Sequence, residues 1–158
     1  MKIKTSIEEI TRDDLVNLLS TALYGSSYLE ADYTNSSLKE KDDCFEDILA
    51  RNLLAGDSIV VTDWYAEGTV YGNLQHIIDD EDECVHYTLN LDDIKNGLAK
   101  AADGTFNVRA DVSEDFASGN RECALASFNA FYFNEKQWDM CAADTLMQII
   151  LFNEIIYG

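Results

Sequence analysis

The sequence predicts a single α+β domain over residues 1–158, with about four helices around a small, mostly antiparallel sheet. Three observations lead there. A hydrophobic content of 47% over 158 residues is enough to bury a core. A helix–stop–strand pattern echoes three times, and one run further along alternates apolar and polar residues with the period of a half-buried strand. No composition shift marks a boundary between domains, and the chain contains no proline to kink a helix or stiffen a linker.

The first echo opens with Thr11 as N-cap and Asp14 three residues on. Leu15, Leu18, Leu19, Ala22 and Leu23 then line one helical face. Gly25 fits the left-handed C′ position, and Ser26 to Ala31 reads as a strand. The second echo runs from Asp47 to Gly56 and leads into a strand over Ser58 to Trp64, followed by a turn at Glu67-Gly68 and a hairpin return over Thr69 to Tyr71. Val85, Tyr87, Leu89 and Leu91 alternate with His86, Thr88 and Asn90. Asp92 or Asp93 then caps a helix through Ala102 that stops at Gly104. Thr105 to Val112 reads as another strand, and Arg121 to Phe131 as a candidate helix carrying part of an aromatic run. The third echo runs from Asp144 to Asn153 within a helix that starts at Asp139 and packs Ala142, Leu146, Ile149 and Ile150 inward, and it leads into a strand over Glu154 to Gly158.

Charge is the strongest functional signal. The formal net charge is −19, and it is unevenly placed. Between Asn52 and Ile94 no Lys or Arg occurs while ten acidic side chains do; Ser26 to Ile94 hold seventeen acids against three bases. Such a field destabilises the compact chain by self-repulsion and favours solubility or attraction to basic surfaces. A nucleic-acid ligand is excluded by the same sign, because arrayed carboxylates repel phosphates and no basic stripe or phosphate-cradling glycine loop occurs. The amino terminus lacks the apolar stretch of a signal peptide, and no apolar run is long enough to span a bilayer, so the chain reads as cytoplasmic, without a membrane partner, and as a monomer or homodimer.

Chemical motifs are sparse. Cys44, Cys84, Cys123 and Cys141 form no C-x-x-C pair, which leaves reduced thiols as the default. The run Asp79-Asp80-Glu81-Asp82-Glu83 lacks the alternating oxygen ligands and central glycine of an EF-hand loop, and it reads either as a solvated loop or as a group docking into a basic groove. His76 and His86 flank it without HxH or HxxxH spacing, so no metal and no cofactor are expected. Cys84 and His86, at i and i+2, fall on one strand face. The acids Asp42, Asp43, Glu46 and Asp47 sit where a helix N-terminus would favour them, so the cluster reads equally as dipole compensation or as part of a functional surface. No arrangement of nucleophile, base and orienting group is legible, and the chain is not expected to be an enzyme.

The segments Gly56-Asp-Ser-Ile-Val-Val-Thr-Asp63, Tyr87-Thr-Leu-Asn-Leu-Asp-Asp-Ile-Lys-Asn-Gly97 and Asp144 to Gly158 resemble a group of small acidic proteins carried by bacterial prophages and other mobile elements. The likeness covers about a third of the chain, and its motifs are helix-to-strand joints, so it transfers no catalytic residue. The resemblance implies a mobile-element context, in which small polyanionic proteins serve as inhibitors of host defence nucleases. The expected function is therefore anti-CRISPR-like: an acidic, DNA-mimicking surface fills the basic nucleic-acid groove of a CRISPR effector or related nuclease. The alternative is an acidic phage structural or assembly adaptor. The expected contact residues are Asp57, Asp63, Trp64, Tyr65, Glu67, Asp79, Asp80, Glu81, Asp82 and Glu83, with the aromatics as anchors among the acids.

Overall fold

The computed structural model describes residues 9–33, 44–109 and 112–157. Among those residues there are five helices and a four-stranded antiparallel sheet, an α+β fold with one helix more than the sequence predicts. In chain order the elements are α1 (Arg12–Leu23), β1 (Leu29–Asp32), α2 (Phe45–Leu54), β2 (Ile59–Asp63), β3 (Gln75–Asp79), β4 (Cys84–Leu89), α3 (Leu91–Asp103), α4 (Glu114–Tyr132) and α5 (Met140–Phe152). Contacts gather into two compact units. One comprises Ile10–Val70 with Leu74–Asp93, and the other Tyr71–Asn73 with the chain from Ile94 onward.

The first unit holds the sheet, in the order β1-β2-β4-β3. Thr11 caps α1 through a reciprocal capping box with Asp14, as the spacing predicts. Gly25 and Gly56 both take positive φ just past their helices. α1 and α2 pack on each other and against β1 and β2, with Arg12 paired to Asp47 across the two helices. Asp42 and Asp43 lie outside the described residues; α2 is capped at Cys44 without a side-chain bond, and Glu46 and Asp47 occupy its first turn. Register puts Leu29, Ala31, Ile59, Val61, Val85, Tyr87 and Leu89 on one sheet face, all buried. The opposite face carries Glu30, Asp32, Thr62, His86, Cys84, Ile77 and Asp79.

Three expectations are corrected in this unit. Thr69 to Tyr71 forms no strand and does not return along β2, which pairs with β1 and β4; the hairpin is made by Gln75–Asp79 with β4. β4 ends at Leu89, because Leu91 already starts α3. The cap of α3 is Asn90, whose Oδ1 accepts from Asp93 N while its own N–H reaches Asp93 Oδ2.

In the second unit α5 is buried all round from Leu146 to Phe152, with Gln148 as the one polar side chain of that stretch. It begins at the Asp139 cap and ends at Asn153 with φ of 54°. α4 packs along it. This helix runs from its Ser113 cap to Tyr132, far longer than Arg121 to Phe131, and is held by buried Ala117, Ala124, Phe128 and Phe131. Thr105 to Arg109 is irregular instead of a strand. Glu154 to Tyr157 is no strand either, because the N–H groups of Ile156 and Tyr157 donate to the side chain of Gln148.

Candidate functional site

Antiparallel pairing of β2 with β4 brings the chain leaving β2 beside the chain entering β4, since Asp63 faces Val85. The turn after Asp63 and the loop before Cys84 therefore share one end of the sheet. Gly68 N–H donates to the Glu83 carbonyl at 2.8 Å and ties the two together. Glu67 and Glu83 both adopt positive φ, 49° and 55°, which is costly for residues with a Cβ and marks these turns as tightly determined. Asp79 Oδ1 accepts the N–H groups of Glu81 and Asp82 at 3.1 Å each, so the acidic run is folded over its own first carboxylate.

Most of the residues expected from the sequence meet here. Trp64 and Tyr65 are 43% and 51% exposed, and Tyr65 stacks on Tyr28 with ring centroids 5.3 Å apart. Glu67, Asp80, Glu81, Asp82 and Glu83 are exposed around them, with Asp79 half-buried beneath. Two residues fall elsewhere. Asp63 is fully buried, its Oδ1 accepting Tyr65 N–H at 2.9 Å, so it shapes the turn and offers no surface to a partner. Asp57 is exposed but precedes β2, a strand length of about 17 Å away at about 3.4 Å per residue.

The same end of the sheet contains a trio that spacing alone did not assemble. A carboxylate oxygen of Asp79, the Cys84 sulfur and a ring nitrogen of His86 lie within 4.8 Å of one another. Cys84 Sγ stands 3.7 Å from His86 Nε2, and His86 Nδ1 lies 2.6 Å from the hydroxyl of buried Thr62. Burial pushes the Cys84 thiol up from its ordinary value, and the carboxylates of Asp79, Asp82 and Asp63 add to the effect. Cys84 is thus held as a neutral thiol beside a histidine, the reverse of an activated nucleophile. Cys44, Cys123 and Cys141 are exposed and form no disulfide.

No helix among the described residues is long and apolar enough to cross a membrane. No family model matches the chain, and no curated protein or solved structure shows significant similarity to it.

Proposed function

We propose that the protein is a non-catalytic, anti-CRISPR-like inhibitor from a phage or mobile element, whose acidic sheet end occupies the basic nucleic-acid groove of a host defence nuclease. The observation that carries this reading is the meeting of exposed Trp64 and Tyr65 with Glu67 and Asp80–Glu83 on two turns bonded to each other. Duplex DNA offers about one negative charge per 1.7 Å of axis. A fixed carboxylate array competes for the Lys and Arg residues that grip it, and its long-range field accelerates encounter. The aromatics supply the short-range part, slowing dissociation once the surfaces meet.

The test is competition. The protein is added to a panel of CRISPR effector–guide complexes with labelled target duplex. Displacement of the duplex is then compared with that of a variant carrying Glu67→Gln, Asp80→Asn, Glu81→Gln, Asp82→Asn and Glu83→Gln. Asp79 is left unchanged because its carboxylate caps the loop. The neutral variant is expected to associate more slowly and with weaker salt dependence, and Trp64→Ala to dissociate faster. Displacement by no effector in the panel, or equal displacement by both proteins, overturns the proposal.

A second reading, an assembly adaptor, is favoured by a different surface. Tyr132, Phe133 and Met140 are each about half exposed, with the Tyr132 and Phe133 rings 4.9 Å apart. Such apolar side chains fit a protein partner without a charged groove.

A further inference from the structure

We propose that Asp79, Cys84 and His86 form a zinc-binding site, with Thr62 as the residue that orients the histidine. The argument begins with register. Asp79 pairs across the β3–β4 hairpin with Cys84, and His86 lies two residues along β4, so all three project from one sheet face. Thr62 of β2 sits opposite His86 from the other side. Three strands thus fix four side chains on one patch, a more rigid placement than a loop provides.

Distances fit a tetrahedral ion. With Zn–S of about 2.3 Å and Zn–N of about 2.0–2.1 Å, sulfur and nitrogen stand about 3.6 Å apart across a tetrahedral edge. Cys84 Sγ and His86 Nε2 stand 3.7 Å apart. Asp79 already spends Oδ1 on the loop N–H groups, leaving its other oxygen to turn toward the pair. Thiolate, imidazole and carboxylate together select zinc over calcium or magnesium, which take oxygen ligands.

The hydrogen bonds set the tautomer that a metal needs. When Nδ1–H donates to Thr62 Oγ1, Nε2 keeps its lone pair facing the sulfur. In the metal-free protein that lone pair accepts the Cys84 S–H; on binding, Zn2+ takes the place of the thiol proton, which leaves to solvent. An outer partner on the far ring nitrogen is the usual companion of a zinc-bound histidine. Cys84 is fully buried whereas Asp79 and His86 are only half-buried, so the ion enters past those two. The exposed carboxylates of the adjoining loop raise the local cation concentration. Three protein ligands leave a fourth position for water.

The probe is Co2+, followed by Zn2+ competition, on full-length chain stripped with chelator and freed of it. A background of Cys44→Ser, Cys123→Ser and Cys141→Ser removes the exposed thiols. One equivalent of Co2+ is expected to give the intense visible bands of tetrahedral cobalt and a thiolate charge-transfer band, both erased by Zn2+. Adding Cys84→Ser should abolish the charge-transfer band. His86→Gln and Asp79→Asn should each weaken binding about 100-fold or more, and Thr62→Val should keep the spectrum while weakening affinity about 10–100-fold. Should Cys84→Ser fail to fold, the deciding measurement is alkylation of Cys84 in the triple-Ser chain at a denaturant concentration where the metal-free protein opens and is modified, which one equivalent of Zn2+ is expected to slow. Absence of tetrahedral bands, their survival in folded Cys84→Ser, or no protection of the thiol overturns the site.

Discussion

Gln148 holds Tyr157 by both ends of its amide. Nε2 donates to the Tyr157 carbonyl at 2.9 Å, and Oε1 accepts the Tyr157 N–H at 2.8 Å. Oε1 also accepts Ile156 N–H at 2.8 Å, and Nε2 donates to Asp144 Oδ2 at 2.7 Å. A side chain from the middle of the buried helix α5 thereby replaces the neighbouring strand that the final residues would otherwise need to satisfy their backbone.

Gln148→Leu keeps the volume and removes all four bonds. These half-buried partners cost up to about 1–3 kcal/mol each when unsatisfied, and some regain water as the segment frays. We expect a loss of about 2–4 kcal/mol in denaturant unfolding, with amide exchange at Ile156 and Tyr157 accelerating before global unfolding.

Two glycines sit where a side chain has no room. A Cβ at Gly97 would lie 2.4 Å from Ile150 Cγ1 and 2.6 Å from its Cα; one at Gly72, where φ is 74°, would lie 2.8 Å from the Phe152 carbonyl carbon. Either substitution by Ala should destabilise by about 1–3 kcal/mol. Adding Ile150→Ala to Gly97→Ala removes only the Cγ1 clash and should restore little, as a double-mutant cycle would read out.

Salt should stabilise the fold. Seventeen acids against three bases between Ser26 and Ile94 repel one another, and a Debye length of about 8 Å at about 0.15 M ionic strength screens that repulsion. The melting midpoint is expected to rise between low salt and about 0.15 M sodium chloride; a fall would contradict it.

The Cys84 thiol gives a pH dependence of definite sign. Its folded value is raised above 9.0 by burial first and then by Asp79, Asp82 and Asp63. The folded state therefore keeps the proton that the unfolded chain releases, and stability is lost as pH rises beyond that ordinary value. With chelator present, iodoacetamide at about pH 8 should modify the exposed Cys44, Cys123 and Cys141 while Cys84 stays unmodified until the chain unfolds.

The elements legible in the sequence are those in which local pattern and tertiary burial agree. α1, α2, α5 and β4 declare themselves because each buries a periodic or predominantly apolar set of side chains, and the helices end at recognisable stops. β3 does not, since an exposed edge strand needs no alternation: Ile77, on the face opposite Ile78, is 69% exposed. α4 hides behind Ser118, Gly119 and Asn120, poor helix formers that packing and the Ser113 cap override. Alternation at Phe106 and Val108 imitates a strand, yet Asn107 turns its backbone N–H to Asn153 and its side chain to Glu154. At the candidate site, Cys84 and His86 are a visible pair, whereas Asp79 and Thr62 join them only through hairpin and strand registers that depend on turn geometry.

The interleaving of the two units bears on how the chain folds as it is made. Residues 71–73 belong with the later unit, and Gly72 fits against Leu151 and Phe152, far along the chain from it. On a ribosome, β1 to β4 emerge early, while this short segment waits for a partner not yet synthesised. The strands can therefore pair while the segment between β2 and β3 still lacks its packing partner, which α5 supplies once it is made.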